Sequence, residues 1–112
     1  MKKLQVLVAT MEQKDFSKIQ SMNIVTDVIF ANQTSEKTEY KKESINGCVA
    51  ELISTQTKGV GKNRNIAISH ASADILLFAD DDIRYLKDYS KKIITAFEKL
   101  PKADIIVFNL TK

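Results

Sequence analysis

The chain has few of the residues that build disulfide frameworks, histidine metal centres or indole-lined sites: one cysteine, one histidine, one proline and no tryptophan. Because Cys48 is alone, no disulfide can form within the chain, and a reduced, cytoplasmic setting is favoured. His70 has no second histidine with which to form a metal-binding pair. No segment approaches the roughly 20 apolar residues of a membrane helix. We therefore expect no transmembrane segment, and any membrane association would depend on sequence outside this chain.

Charge of either sign is also modest. Lys and Arg number 17 against 14 Asp and Glu, a net charge of +3. This excess is too small and too dispersed to indicate a nucleic-acid partner. A length of 112 residues with 44% apolar residues is sufficient for one hydrophobic core, so we expect residues 1–112 to form a single domain.

Short apolar runs alternate with segments of helical spacing. The runs lack polar alternation, which is typical of parallel strands covered on both faces; they are Leu4 to Ala9, Val28 to Ala31, Ile75 to Ala79, Ile105 to Phe108 and, more weakly, Cys48 to Ser54. Helices are predicted over 15–21, 61–71 and the stretch from Leu86 to Leu100, which ends before Pro101. The pattern predicts an α/β, three-layer sandwich with a mainly parallel sheet. Residues 32–46 are polar and aperiodic, and we interpret them as a flexible loop.

Three consecutive aspartates, Asp80, Asp81 and Asp82, follow one of the buried strands. Ligands of open parallel sheets bind beyond the carboxyl ends of the strands. Adjacent carboxylates repel one another, and a hard cation such as Mg²⁺ or Mn²⁺ relieves that repulsion. The pattern therefore indicates a divalent-metal site. The alternative is that the aspartates form a turn and cap the helix that follows.

A second candidate segment, Lys58 to Asn65, contains two glycines and three cationic side chains just before a predicted helix. Free N–H groups at a helix start and nearby positive charge favour a phosphate. The spacing does not match a phosphate-loop or dinucleotide fingerprint. Lys58 and Arg64 are the predicted contacts, and the alternative is an ordinary charged surface loop.

Together, these two segments resemble the core of family-2 glycosyltransferases, which are inverting enzymes with the GT-A, Rossmann-like fold. The likeness runs from Lys58 to Ile83: a glycine-containing turn, the Arg64-Asn65 pair on a helix with Asn63 in place of the usual alanine, and a buried strand that ends in Asp80-Asp81-Asp82 as an Asp-x-Asp motif.

The resemblance implies binding of a nucleotide-diphosphate sugar for transfer to an acceptor hydroxyl, in a glycan, lipid or protein that the sequence does not identify. It implies Asp82 and Asp80 as metal ligands and Lys58, Arg64, Asp80 and Asp81 as donor contacts. The ends of the first two strands depart from the family pattern. The residues at the corresponding positions, Thr10, Glu12 and Gln33, are predicted to contact the nucleotide-sugar. The amides of Asn32 and Gln33 can pair with a nucleobase edge.

Family members carry the acceptor half and the catalytic Asp or Glu in sequence that follows this part. We therefore expect the chain to be the donor-binding half of a longer enzyme, with the general base outside it. The alternative from another class is a non-catalytic α/β module that binds a nucleotide or acts in signalling.

Overall fold

A five-stranded sheet carries helices on both of its faces. The computed structural model describes residues 3–56, 60–80, 84–85 and 89–99. In chain order the elements are β1 (Leu4–Met11), α1 (Ser17–Met22), β2 (Asp27–Gln33), β3 (Glu39–Ile45), β4 (Cys48–Thr55), α2 (Val60–His70), β5 (Ile75–Asp80) and α3 (Tyr89–Lys99). The predicted strand over Ile105 to Phe108 lies outside the described residues.

The strand order across the sheet is β3-β4-β2-β1-β5. Strands β4, β2, β1 and β5 are parallel, and β3 pairs antiparallel with β4. From β1 the chain moves through α1 to β2 on one side, whereas α2 returns it across the sheet to β5 on the other side of β1. The strand order therefore reverses between β1 and β5, where open α/β sheets bind their ligands.

The core is divided between the two faces of the sheet because successive strand side chains point to opposite sides. On one face, Val6, Val8 and Phe30 pack with side chains of α1 and α3. On the other, Leu7 and Ile29 pack with Ala67 of α2 in a smaller cluster. The predicted three-layer α/β sandwich with a mainly parallel sheet is confirmed.

The described residues after β5 address one part of the alternative interpretation of the aspartates, the capping of α3. Arg84 and Tyr85 lie in neither helix nor strand, and α3 begins at Tyr89. A helix cap lies directly beside the first turn, so Asp81 and Asp82 are too far back along the chain to cap α3. That part of the alternative interpretation is wrong.

The interpretation of residues 32–46 as one loop is also wrong, because Glu39–Ile45 form β3. Asn46 and Gly47 link β3 to β4 with φ angles of 51° and 79°, as expected for a two-residue type I′ hairpin turn. Most side chains of β3 are exposed because it lies at the sheet edge. Its polar sequence hides it from a search for buried strands.

None of the described helices is long and apolar enough to cross a membrane.

Candidate functional site at the carboxyl edge of the sheet

The parallel strands bring several predicted site residues to one edge, which we call the carboxyl edge. Met11 of β1 pairs with Gln33 of β2, and Ala9 pairs with Asp80 of β5. Thr10, Glu12, Gln33 and the backbone of Asp80 are thus within one or two residues of the same boundary. Lys58, Asp81 and Asp82 lie outside the described residues.

Asp80 is the last residue of β5, directly beside β1 at the position where the strand order reverses. The donor set that follows this strand is all carboxylate, which suits Mg²⁺ or Mn²⁺ by its chemistry. Among the residues that the structure describes, which exclude Asp81 and Asp82, no three His, Cys, Asp or Glu residues form a group that could hold a metal ion. The assignment of Asp80 and Asp82 as metal ligands stays a prediction.

Of the predicted contacts whose side chains the structure describes, Thr10 is the least accessible, with 4% of its surface exposed. It pairs with Asn32, which in turn pairs with Ser54 of β4. These three residues form a polar row across β1, β2 and β4, one step inside the edge. Their burial makes them a support for the edge rather than its surface.

Glu12 follows β1 directly and has a φ of 50°, a left-handed conformation that Glu rarely adopts. Its N–H donates to the Gln33 carbonyl at 2.8 Å. Its Oε1 accepts a hydrogen bond from the Ser35 N–H, also at 2.8 Å. The ends of β1 and β2 are therefore joined by backbone and side chain at Glu12.

Contrary to what the sequence suggested, Asn32 is not available to pair with a nucleobase, because its side-chain amide is hydrogen-bonded to other groups of the protein. Its side chain is 1% exposed. Nδ2 donates to the Gln13 carbonyl at 2.9 Å and to Ser54 Oγ at 3.0 Å. Oδ1 accepts from the Gln13 N–H at 3.0 Å. Of the two amides proposed to pair with a nucleobase, Gln33 alone remains a candidate.

The loop continues from Gln13 into α1 through Asp15. The Asp15 Oδ1 accepts a hydrogen bond from the Ser17 N–H at 3.0 Å. Hydrogen bonds from the Ser17 side chain and backbone lower the pKa of the Asp15 carboxyl. The end of this connection, next to α1, is thus held by a local bond, whereas Glu12 and Gln13 are held by residues distant in the sequence.

Helix α2 begins at the carboxyl edge because it leaves the end of β4 and runs back to the start of β5. Arg64, in its second turn, places its guanidinium carbon 5.9 Å from the centre of the Phe78 ring, within cation–π range. Phe78 lies two residues before Asp80 on β5. Arg64 is exposed and lies near the end of the strand that Asp80 completes; its role as a donor contact stays a prediction.

Asn63 is a residue whose importance the sequence did not reveal. It is 3% exposed, and its Oδ1 has no hydrogen-bond partner in the described structure. It lies one helical turn before Ala67, on the side of α2 that faces the sheet. A buried acceptor without a partner is costly, so this position offers a hydrogen bond to a ligand or water. The sequence contained one indication of this, the presence of Asn63 where the family usually has alanine.

Comparison with known proteins decides the family. The model of glycosyl transferase family 2 matches residues 22–111. The chain belongs to glycosyltransferase family 2. The predicted resemblance to family-2 glycosyltransferases is therefore confirmed, and the fold is consistent with the GT-A, Rossmann-like type.

Two curated relatives match with 28% identity over 104 residues; both are poly(ribitol-phosphate) beta-N-acetylglucosaminyltransferase TarS of Staphylococcus aureus, from strains Mu50 / ATCC 700699 and MW2. The aligned region covers 93% of this chain and 18% of each relative. The chain thus spans less than a fifth of the length of these relatives. No solved structure matches it.

Proposed function

We propose that this domain binds the nucleotide-diphosphate sugar of an inverting glycosyltransferase, which transfers a hexosyl or related sugar to an acceptor hydroxyl. The observation that carries the proposal is the position of Asp80 at the end of β5, beside β1 where the strand order reverses. The start of α2 lies at the same edge, and Arg64 lies above β5. Family membership makes glycosyl transfer the activity that this arrangement supports best.

In this proposal Asp82 and Asp80 hold Mn²⁺ or Mg²⁺ against the diphosphate. A bound divalent cation would neutralise the charge that develops on the departing nucleoside diphosphate. Arg64, and Lys58 from the loop before α2, add positive charge near the phosphates, and Asp81 completes the acidic segment. These side chains bind and orient the donor.

The nucleoside would lie against the ends of β1 and β2. Glu12 is exposed there and Gln33 is half-buried, and each has oxygen atoms that can accept from a base or ribose. Thr10 contributes through the buried row beneath them. The general base is proposed to lie outside these 112 residues, so this domain alone supplies donor binding rather than a complete catalytic site.

The donor is proposed first as an N-acetylglucosaminyl nucleotide, since the named relatives transfer that sugar. The acceptor stays open at the level of a glycan, lipid or protein hydroxyl. A donor series that includes UDP-N-acetylglucosamine, UDP and GDP separates the contribution of the sugar from that of the nucleotide.

Thermal unfolding with and without Mn²⁺ and nucleoside diphosphate tests the proposal. Ligand at 100 times its dissociation constant should raise the free energy of unfolding by about 2.7 kcal/mol. The stabilisation should require metal and nucleotide together. A folded chain that no nucleoside diphosphate stabilises with metal would contradict donor binding, and nucleotide binding that ignores metal would favour the non-catalytic module.

A further inference from the structure

The loop that follows β1 is held in a conformation that its own sequence does not favour. Glu12 has a φ of 50°, where an L-residue with a Cβ is strained and where Gly or Asn is the usual choice. Such conformations persist when surrounding contacts over-determine them, and they cluster at binding sites. The contacts that hold Glu12 are therefore informative about function.

The exposed contacts of this loop are too weak to hold it. The Lys14–Glu36 ion pair has a separation of 3.6 Å, and both side chains are largely in solvent. Gln13 Nε2 donates to the Met11 carbonyl at 3.2 Å on the surface. Exposed ion pairs contribute little to stability. The other exposed bonds of the loop, from Ser35 N–H to Glu12 Oε1 at 2.8 Å and from Lys41 Nζ to the Lys14 carbonyl at 3.0 Å, compete with water, so we expect the main restraint to come from buried groups.

The buried restraint is Asn32. One carboxamide contacts both backbone groups of Gln13, accepting from its N–H at 3.0 Å and donating to its carbonyl at 2.9 Å. The remaining amide proton goes to Ser54 Oγ at 3.0 Å. Because Gln13 directly follows Glu12, the bonds to Asn32 fix the backbone on the carboxyl side of the strained residue. The hydrogen bond from the Glu12 N–H to the Gln33 carbonyl fixes the backbone on its amino side.

We propose that Asn32 is a positioning residue for the donor site, which presets the Glu12-Gln13 loop before the nucleotide arrives. The inference rests on the proposed nucleotide site but concerns the order of the loop, which exists without ligand. A carboxamide has one acceptor oxygen and two N–H donors in one plane. It can therefore accept from the Gln13 N–H and donate to both the Gln13 carbonyl and Ser54 Oγ. Without it, the ligand would have to order the loop, and affinity would fall accordingly.

Asn32→Asp is the discriminating variant, because it keeps the shape and removes the N–H donors. The new carboxylate would face the Gln13 carbonyl, and we expect amide hydrogen exchange at Glu12 and Gln13 to accelerate in the ligand-free protein. If only about one-tenth of the variant molecules have the loop in its binding conformation, the affinity for UDP with Mn²⁺ should fall roughly tenfold.

Lowering the pH should restore binding in this variant. A protonated carboxyl has one donor and one acceptor and can contact both Gln13 groups as the amide does. Burial raises the pKa of such a carboxyl, so recovery should occur above the ordinary range of aspartate. The charged side chains around this loop are present in the wild type as well, whose own pH curve corrects for them: Glu12, Lys14, Glu36, Lys37, Glu39 and Lys41.

Two controls accompany the variant. Asn46→Asp makes the same chemical change in the hairpin turn at the other end of the sheet and should leave affinity and loop exchange unchanged. Ser54→Ala removes one Asn32 partner but spares both Gln13 bonds, so it should change affinity less than Asn32→Asp.

Rapid loop exchange, weaker binding and recovery at low pH together would establish the role of Asn32. Rapid exchange with unchanged affinity would overturn it, and so would unchanged exchange. If the wild type binds no nucleoside diphosphate, the proposed function fails and the donor role of Asn32 fails with it; the exchange data would then report a loop restraint alone.

Discussion

The two ends of the sheet both contain residues in the left-handed conformation, but with different residue types. At the amino end these are Asn23 after α1 and Asn46-Gly47 in the hairpin, the types that adopt this conformation at least cost. Among the described residues of the carboxyl edge, the left-handed residue is Glu12. The amino end turns the chain by local preference, whereas the carboxyl edge depends on tertiary hydrogen bonds to hold its conformation.

We therefore expect substitutions at the amino end to change the stability of the fold and substitutions at the carboxyl edge to change ligand binding. Residues at the amino end contact one another in the folded chain: the Tyr89 hydroxyl accepts from the Val25 N–H at 3.0 Å and pairs with Thr26 Oγ1 at 2.8 Å. The carboxyl edge instead contains a left-handed backbone at Glu12 and a buried oxygen, Asn63 Oδ1, to which no described residue donates a hydrogen bond. Such features are common at ligand-binding sites, which is consistent with the donor site proposed at this edge.

The largest effect is expected for Asp82→Asn at the carboxyl edge. Loss of a proposed metal ligand should lower the metal-dependent affinity for nucleoside diphosphate on the order of 100-fold or more, since even indirect metal partners contribute 10- to 100-fold. The melting temperature without ligand should change little. Calorimetric titration with Mn²⁺ measures the first quantity, and a variant that unfolds would show that Asp82 is structural.

At the amino end, Asn23→Ala should reduce stability without affecting nucleotide binding. The change removes the Nδ2 hydrogen bond to the Tyr85 carbonyl at 2.9 Å and places alanine at a φ of 58°. The two losses together cost about 2 kcal/mol in the free energy of unfolding. Urea unfolding measures this cost. Asn23→Gly relieves the backbone alone and should recover about half of it; equal losses in both variants would refute the conformational part.

The amino end should also be sensitive to alkali. Burial raises the pKa of Tyr85 and of Tyr89, so the folded state holds both phenolic protons more tightly than the unfolded state does. Their contribution to stability is complete below the unfolded pKa of about 10 and is lost as the pH rises through the higher folded values. Urea unfolding between pH 9 and 12 should show this decline, and Tyr89→Phe should make it shallower. An equally steep decline in the variant would exclude Tyr89 as a source.

The smallest change in stability is expected for Glu12→Gly. Relief of the left-handed backbone should offset the loss of the exposed bond to Ser35, so the free energy of unfolding should change by less than about 1 kcal/mol. Nucleotide affinity should nonetheless fall because Glu12 is a proposed contact and the loop gains freedom. Paired unfolding and titration data check both statements; a large loss of stability would mean that Glu12 serves the fold.

Sequence periodicity predicted the interior of the fold well, for a physical reason. Strands β1 and β2 are buried along most of their length, and their sequences are correspondingly apolar. Strand β5 has an apolar run as well, but it lies beside β1 alone among the described strands and is only partly covered, with Phe78 43% exposed. Strand β3 was missed because an edge strand tolerates polar residues on both faces. Its signal was the Asn46-Gly47 turn, which marks a hairpin when paired segments flank it.

The candidate site was predictable where chain order alone determines position. A strand followed by Asp80 places that residue at the carboxyl edge in any parallel sheet. The role of Asn32 could not be anticipated, since it depends on contacts with Gln13 and Ser54, which lie 19 and 22 residues away in the sequence. Asn63 likewise required knowledge of its burial.

Backbone amide chemical shifts, recorded while Mg²⁺ and UDP are added to the 112-residue chain, test the central claim most directly. A donor site at the carboxyl edge should produce changes at Thr10, Glu12, Gln33 and Asp80, and none at Val25, Asn46 or Val49 at the amino end. Changes confined to the amino end, or no change at saturating metal and nucleotide, would contradict a donor site at the carboxyl edge.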